Sequence, residues 1–171
     1  MPRERITEER FEKVIELYFM WKNLNLGIKE NYTRGVNLPE AITETICCYV
    51  NNFFLSTGEG SEDAVIPQTG DLVQIKATSN FNSDLTSFGP RSNFRYLHFV
   101  RLNQDEDRMY LYDIPVENLR QVRVNCSETF EDQQLQNRRP RFSIIDKYIN
   151  PYGIQPYAVV DLRTRQILFT A

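Results

Sequence analysis

The sequence predicts an α/β domain in which helices pack on a mixed β-sheet. Two amphipathic helical segments come first, strand-like segments joined by short turns follow, and a further helical segment precedes the last strands. The chain has 171 residues, 41% of them hydrophobic, which is enough for one domain over residues 1–171 with its own core.

Two helices are predicted near the N-terminus. Thr7 is a suitable N-cap, and apolar residues recur at helical spacing from there to about residue 23. Residues 25–38 have the composition of a loop. Pro39 then suits the first position of a second helix, which we expect to span residues 39–55.

The rest of the chain alternates between strand-like and helical segments. We predict strands at 93–103 and 108–116 around an acidic turn, a short helix at 117–125, a polar loop at 129–141, a helix at 142–150 and closing strands within 156–169. His98 lies in the first of these strands between apolar residues, so we expect a buried histidine and not a general base.

The composition excludes several classes of protein. Lys and Arg number 20 against 23 Asp and Glu, so net charge alone would not draw the chain to nucleic acid. The three cysteines indicate neither a disulfide framework nor a CxxC metal site, and we expect Cys47, Cys48 and Cys126 to be reduced and to serve packing. No apolar run approaches the roughly 20 residues of a membrane span, so we expect a soluble, cytoplasmic protein.

A short hairpin at residues 63–76, DAVIPQTGDLVQIK, has the side-chain pattern of a metal-dependent phosphodiesterase site. If residues 67–70 form its loop, Asp63 lies opposite Gln74, and Lys76 projects from the same face. Ile75 then points to the other face, where it can be buried. Asp71 has the wrong parity to face Lys76, and we expect it to finish the turn.

These side chains could supply the chemistry of phosphodiester hydrolysis. Asp63 would be an anionic ligand of Mg²⁺, Gln74 a neutral one, and the backbone carbonyl of Ile75 a third oxygen. Lys76 would orient or deprotonate the attacking water. The alternative is a polar surface hairpin with an incidental lysine, because this spacing alone is common.

Glu44 is a second candidate ligand, from the interior of the predicted second helix. It shares a helix face with Glu40, whose place in the first turn needs no explanation beyond the helix dipole. Glu44 could reach the metal ion directly or through water. The alternative is an ordinary solvated glutamate.

The densest basic cluster is RRPR, which supplies Arg138, Arg139 and Arg141. Neighbouring Gln and Asn side chains make this segment a candidate for DNA contact, since guanidinium and amide groups pair with base edges and phosphates. A solvated basic loop is the alternative.

A polar loop directly follows the proposed catalytic strand and is a second candidate for DNA contact. It begins with Thr78 and Ser79. Asp84, further along, would either accept from a cytosine amino group, orient Arg91, or cap a turn.

An acidic helix residue, then Asp, then (Glu/Gln)-x-Lys closing a hairpin resembles the PD-(D/E)xK nuclease superfamily. Five blocks in order resemble the small type II restriction endonucleases, and the similarity spans roughly residues 34–145: RGVNLPEAITE, GSEDAV, QIKATS, SDLTSFGP and RRPRFSI. Among these enzymes the chain is most similar to the group that cuts a GC-rich palindrome with an unspecified central base.

This resemblance implies a restriction-endonuclease-like core and a catalytic set of Asp63, Gln74 and Lys76, with Glu44 as the helix acid. It further implies a prokaryotic enzyme that hydrolyses double-stranded DNA with Mg²⁺, needs no small-molecule cofactor and leaves 5′-phosphates. A palindromic site implies a homodimer. Phe19 and Trp21, on the apolar face of the first helix, would belong either to that interface or to the core.

The sequence departs from the superfamily pattern at two positions. Glu62 precedes Asp63 where proline is usual, and Gln74 replaces the commoner glutamate. Loss of one anion should weaken metal binding. Two alternatives therefore stay open, a repair or recombination nuclease on the same scaffold and a DNA-binding subunit that does not cleave.

Overall fold

The structure is a computed structural model that describes residues 2–59 and 62–170. These residues form a large β-sheet with helices on both faces. In chain order the elements are β1 (Arg3–Arg5), α1 (Glu8–Lys29), α2 (Glu40–Asn51), β2 (Phe54–Ser56), β3 (Ala64–Val65), β4 (Leu72–Thr78), β5 (Thr86–Ser87), β6 (Tyr96–Asn103), β7 (Arg108–Pro115), α3 (Val116–Arg120), α4 (Phe130–Leu135), β8 (Arg141–Phe142), a π-helical turn (Ile145–Ile149), α5 (Asn150–Tyr152), β9 (Ala158–Asp161) and β10 (Ile167–Phe169).

The main sheet has eight strands in the order β1-β2-β3-β4-β6-β7-β9-β10. Strands β4 and β6 are parallel, whereas the other neighbouring pairs in this sheet are antiparallel. Strands β5 and β8 form a separate antiparallel pair. The prediction of a mixed sheet flanked by helices is therefore confirmed.

The hairpin of β3 and β4 has the predicted register. Ala64 pairs with Val73 and Val65 with Leu72, which places Asp63 beside Gln74. The Gly70 N–H donates to the Ile66 carbonyl at 2.8 Å and closes the loop. Gly70 has a φ of 76°, a conformation in which residues with a Cβ are strained.

Each face of the sheet covers its own hydrophobic cluster. On one face, α1 and α2 pack against alternate strand residues that include Val73 and Ile75. On the other face, Leu97 and Phe99 of β6 pack with Phe88 and with the helical segments that follow β7. Because successive strand residues alternate between faces, β4 buries Val73 and Ile75 and leaves Lys76 on the opposite side.

A buried carboxylate fixes α1 to the turn between β6 and β7. Asp107 accepts hydrogen bonds from the Tyr18 hydroxyl and Lys22 Nζ, each at 2.7 Å, and from Arg163 Nε at 2.8 Å. Burial opposes ionisation of Asp107, but these donors outweigh it and hold the pKa of Asp107 below its usual value. The Asp107 carboxylate is thus bound by two cations and one hydroxyl, which offset the cost of burying its charge.

The two N-terminal helices differ from the predicted bounds. α1 continues to Lys29, because Asn25, which interrupts the apolar pattern, is buried and accepts from the Val36 N–H at 2.8 Å. α2 ends at Asn51, since Asn52 adopts a left-handed conformation and the next residues enter β2.

The polar segment 129–141 was predicted to be a loop, and this prediction is wrong. It contains α4, which begins with a capping box between Thr129 and Asp132 and buries Phe130 and Gln133. A single buried apolar residue leaves too little periodicity for a helix to be recognised. The short strands β1 and β5 were also not predicted, whereas the second hairpin, the short helix after it and the closing strands are confirmed.

Several single-residue predictions can be compared with the structure. Cys47, Cys48 and His98 are buried as expected, and burial lowers the pKa of His98 to about 4. Trp21 belongs to the core. The prediction for Cys126 is wrong, because its thiol is exposed. Within residues 2–59 and 62–170, no helix has the length and apolar character needed to cross a membrane.

The loop of the β3–β4 hairpin should depend on glycine at position 70. A Cβ at Gly70 would meet no atom within 4 Å, so Gly70→Ala should destabilise the fold only through its positive φ, by about 1 kcal/mol. Gly27→Ala in α1 is the matched control, since a Cβ there also meets nothing within 4 Å and should stabilise the helix by about 0.5–1 kcal/mol. Urea denaturation of both variants measures the difference, and equal effects would contradict this account.

Candidate active site

A cleft of about 530 Å³ lies where β4 continues beyond the end of β3. Three parts of the chain form most of its wall: α2, the second half of β4 with the loop after it, and the segment around β5. The lining residues are Asn37, Leu38, Glu40, Thr43, Glu44, Ile75, Lys76, Ala77, Thr78, Ser79, Asp84, Leu85, Thr86, Ser87 and Arg139.

The Asp63 carboxylate is bound to β4, which forms part of this wall, although Asp63 and Gln74 do not themselves line the cleft. Its Oδ2 atom accepts from the Ile75 backbone N–H at 2.7 Å and from Gln74 Nε2 at 2.5 Å. Oδ1 of Asp63 has no hydrogen-bond partner among the described residues, and it does not belong to their buried unsatisfied atoms. The hairpin therefore fixes one oxygen of Asp63 and leaves the other for a ligand.

Strand geometry places two more groups beside Asp63. Hydrogen bonds join the two sides of the hairpin. The Asp63 N–H donates to the Val73 carbonyl, the Ile66 N–H donates to the Asp71 carbonyl, and the Ile75 N–H donates to the Asp63 carboxylate. The Ile75 carbonyl points to this same side, where β3 has already ended, so no strand covers it. Lys76 follows on the face of β4 opposite to the Ile75 side chain. Its Nζ lies 5.7 Å from the ring centroid of Phe88.

The carboxylates of this region resist ionisation. Burial, followed by repulsion from Asp63 and Glu40, raises the pKa of Glu44 to about 7, and Lys76 opposes the rise. Burial also raises the pKa of Asp63 to about 6, although the Ile75 N–H and Lys76 lower it. The negative charge gathered here is only partly compensated by protein groups, which favours the binding of a cation.

The donor set suits a hard cation that binds oxygen. It consists of the Asp63 and Glu44 carboxylates, the Gln74 amide oxygen and the Ile75 carbonyl. Among the described residues no group of three or more His, Cys, Asp and Glu side chains is arranged to hold a metal ion. A metal in this cleft would therefore depend on the amide and the backbone carbonyl as well as on the two carboxylates.

The loop after β4 uses its polar side chains to hold its own shape. The Thr78 hydroxyl donates to the Ser83 carbonyl at 2.8 Å and accepts from the Asn80 N–H at 3.2 Å. The Ser79 carbonyl accepts from Gln104 Nε2 at 2.8 Å. Thr78 and Ser79 nevertheless line the cleft, so they can meet a substrate that enters it.

Asp84 has the geometry of a cap. Its two oxygens accept from the backbone N–H groups of Ile144 and Ile145, at 2.9 and 3.0 Å, and from the hydroxyls of Ser143 and Thr86. Within the described part of the chain Asp84 forms no bond with Arg91. Of the three roles open to it from the sequence, the structure matches capping, because these four bonds leave the carboxylate little capacity to accept from a base.

The predicted basic residues lie in different places. Arg139 is exposed and lines the cleft. Arg141 is exposed in β8, opposite Ser87, and Arg91 is exposed in a turn, and neither of them lines the cleft. Arg138 forms an ion pair with Glu128 and does not line the cleft. Arg139 is thus the member of the group that lines the same cleft as Lys76.

Several cleft residues were not predicted as part of the site, and Glu40 and Asn37 are the two of most chemical interest. Glu40 lines the cleft with Glu44. The i, i+4 spacing of the two residues could have indicated this, because it places them on one face of the helix. Asn37 enters from the segment before α2, and no local pattern marks it. Asp71 is placed as expected, outside the cleft and 3.4 Å from Arg95.

The chain is similar to known proteins. Residues 6–151 match the family model described as Bsp6I restriction endonuclease. The chain is also 45% identical over 166 residues to the type II restriction enzyme Bsp6I of Bacillus sp. (strain RFL6), an alignment that covers 96% of this chain and 95% of that protein. The matched region contains every residue of the cleft.

Glu44 should reduce the stability of the metal-free protein at alkaline pH. The folded state holds the Glu44 proton up to about pH 7, whereas the ordinary pKa is 4.5, so the penalty develops between these values and is absent below them. Glu44→Gln should therefore raise the free energy of unfolding by roughly 1–3 kcal/mol at about pH 8 and by almost nothing at about pH 4.

Chemical denaturation in the presence of a chelator measures this difference at both pH values. Glu117→Gln is the control, because Glu117 is exposed on α3. If Glu44→Gln destabilised the protein at pH 8, the assigned repulsion between Glu44, Asp63 and Glu40 would be wrong.

Proposed function

Since this chain belongs to the Bsp6I restriction endonuclease family and is a type II restriction endonuclease, we propose that the cleft between α2 and β4 is its active site. The reaction is the hydrolysis of a phosphodiester bond in each strand of a short palindromic double-stranded DNA site. The observation that carries the proposal is that Glu44, Ile75 and Lys76 line one cleft while the Asp63 carboxylate accepts a hydrogen bond from the Ile75 N–H.

Asp63, Glu44, Gln74 and the Ile75 carbonyl are the proposed ligands of Mg²⁺. The ion would stabilise the negative charge that develops on the phosphate during hydrolysis. The Nε2 group of Gln74 donates a hydrogen bond to Asp63, so Oε1 is the Gln74 atom that remains to bind Mg²⁺. The repulsion that raises the pKa values of Glu44 and Asp63 supports this assignment, because a bound cation relieves it.

Lys76 positions the attacking water and neutralises the phosphate. Within residues 2–59 and 62–170 it forms no ion pair, so its ammonium group can interact with the substrate. The water forms a new bond to phosphorus as the bond from phosphorus to the 3′-oxygen breaks. The products are a 5′-phosphate and a 3′-hydroxyl.

The DNA contacts fall to the residues around the cleft. Arg139, Thr78 and Ser79 line it and are proposed to contact the backbone near the cut. Arg91 and Arg141 are exposed and are proposed to contact DNA outside the cleft. Arg138 is proposed to do the same when DNA displaces its ion pair with Glu128. Asp84 acts as a positioning residue, since its bonds attach the loop after β4 to the residues that follow Arg141.

We propose that two copies of this chain form the active enzyme. A palindrome presents the same site to two symmetry-related copies, each of which cuts one strand. α1 offers a surface for such a contact, because Leu17, Met20 and Leu24 lie on one side of it and are 39%, 64% and 55% exposed. Of the two residues first considered for either an interface or the core, Trp21 belongs to the core, and Phe19 is partly buried and packs against it.

Plasmid digestion tests the proposed reaction. Purified protein with Mg²⁺ should convert unmethylated plasmid into discrete fragments with 5′-phosphate ends, and a chelator should stop the reaction. Lys76→Ala should reduce the rate by about 10³-fold or more while DNA binding persists. Lys147→Ala is the control, because Lys147 is exposed and lies outside the cleft.

The same digestion separates the alternatives. A smear, or cleavage confined to branched DNA, would support a repair or recombination nuclease. Binding without cleavage by the wild-type protein would support a DNA-binding subunit. Discrete fragments at the wild-type rate from Lys76→Ala would overturn the assignment of Lys76.

A charged residue on α1 should prevent the proposed dimer. Met20→Lys places a charge in the apolar patch without touching the core, because Met20 is 64% exposed. Sedimentation velocity should show a dimer for the wild type and a monomer for the variant, and double-strand cleavage should fall in parallel. Asn23→Lys, which adds the same charge at an exposed site of α1 outside the patch, is the control. A variant that remained dimeric would place the interface elsewhere.

A further inference from the structure

We propose that a second groove, next to the active-site cleft, binds the phosphate backbone of DNA that flanks the cut, with Lys29 and Arg34 as its cationic contacts. This groove has a volume of about 790 Å³. It lies between the end of α1, the segment before α2, the loop after β4 and the turn after β6. The proposal rests on the proposed function, because it assumes that DNA occupies the cleft.

The groove and the cleft adjoin each other. Asn37 and Ser79 line both of them. A DNA strand whose scissile phosphate reaches Lys76 therefore has a path past Asn37 and Ser79 into the groove. A duplex is much longer than the cleft, so its flanks must lie on the adjoining surface.

The chemistry of the groove suits phosphate. Lys29 and Arg34 are exposed at its rim, and neither forms an ion pair in the described part of the chain. The amides of Asn37 and Asn82 add neutral hydrogen-bond donors. One acidic residue, Asp105, also lines the groove, and the two cations outnumber it. Cations without a carboxylate partner are available to neutralise phosphates.

The first wall of the groove is fixed to α1. Val36 is held from both sides, since its N–H donates to Asn25 Oδ1 at 2.8 Å and its carbonyl accepts from Trp21 Nε1 at 2.9 Å. Gly35 lies so close to α1 that an added Cβ would be 1.9 Å from Asn25 Oδ1 and 3.1 Å from Lys29 Cδ. This contact brings Lys29 beside the segment that carries Arg34.

The opposite wall is equally constrained. Arg101 stacks on the Phe81 ring, with 4.0 Å from its guanidinium carbon to the ring centroid, and its Nε donates to the Phe81 carbonyl at 2.9 Å. Gln104 holds the Ser79 carbonyl. Because both walls are fixed before DNA arrives, little ordering is needed for binding.

Binding of a duplex of arbitrary sequence tests the proposal. We expect the double variant Lys29→Ala/Arg34→Ala to bind a labelled duplex of about 30 base pairs about tenfold more weakly at about 0.1 M salt. The slope of log affinity against log salt concentration should decrease by about 2, one for each lost phosphate contact. Fluorescence anisotropy over a salt series, with chelator present to prevent cleavage, measures both quantities.

The control is Arg3→Ala/Arg5→Ala, which removes the same charge from exposed positions on β1, an edge strand whose residues do not line the groove. It should leave the slope unchanged. Equal losses of affinity and slope in the two double variants would mean that net charge alone is responsible, and would overturn the proposal. Circular dichroism establishes that both variants are folded, and Lys29→Arg/Arg34→Lys, which keeps both charges, should restore the slope.

Cleavage kinetics give an independent result. Loss of a flanking phosphate contact should raise KM with kcat unchanged, because such a contact is equal in the ground state and in the transition state. A fall in kcat at constant KM would instead assign these residues to the chemistry and overturn the proposal. Failure of the proposed nuclease function would appear separately, as absence of cleavage by the wild type, and leaves the binding experiment informative.

Discussion

The register of β4 against its two neighbours is the constraint on which the rest of the site depends. Against β3 it places Gln74 and Ile75 beside Asp63, so that one carboxylate oxygen is fixed by the strand backbone itself. Against β6 it runs parallel and extends past the end of β3. A shift by one residue would exchange Lys76 with Ile75 and bury the lysine in the hydrophobic cluster. The burial of Val73 and Ile75 thus selects the same register that the site requires.

The sequence predicts this part of the molecule well, because two physical rules suffice for it. Alternation of side chains along a strand and the length of the loop before Gly70 determine which residues face Lys76. The longer reach of α1 could not be predicted in the same way, since it depends on the bond from Asn25 to Val36. Helix α4 was missed for a related reason. Its sequence is polar almost throughout, and the capping box that begins it depends on contacts seen only in the folded chain.

Polar residues around the site show a second limit of prediction from sequence. The composition of a loop indicates that it can meet DNA, but not whether its side chains are already engaged within the protein. The side chains of Thr78, Asp84 and Arg138 form hydrogen bonds or ion pairs within the protein. Among the described residues the Arg139 side chain forms none. These differences arise from contacts between residues far apart in the chain. The position of Asn37, at the meeting of the cleft and the groove, arises from the folded path of the segment before α2.

The cysteines have a practical consequence. Cys47 and Cys48 are fully buried, and burial raises the pKa of the Cys47 thiol to about 12, so only Cys126 presents an exposed thiol among the three. Cys126 lies in the loop that leads to Glu128, the partner of Arg138. A fluorophore attached to the unmodified protein would therefore occupy a single site on the segment next to the basic cluster. Cys126 is thus a natural attachment point for a probe of any movement of that segment when DNA binds.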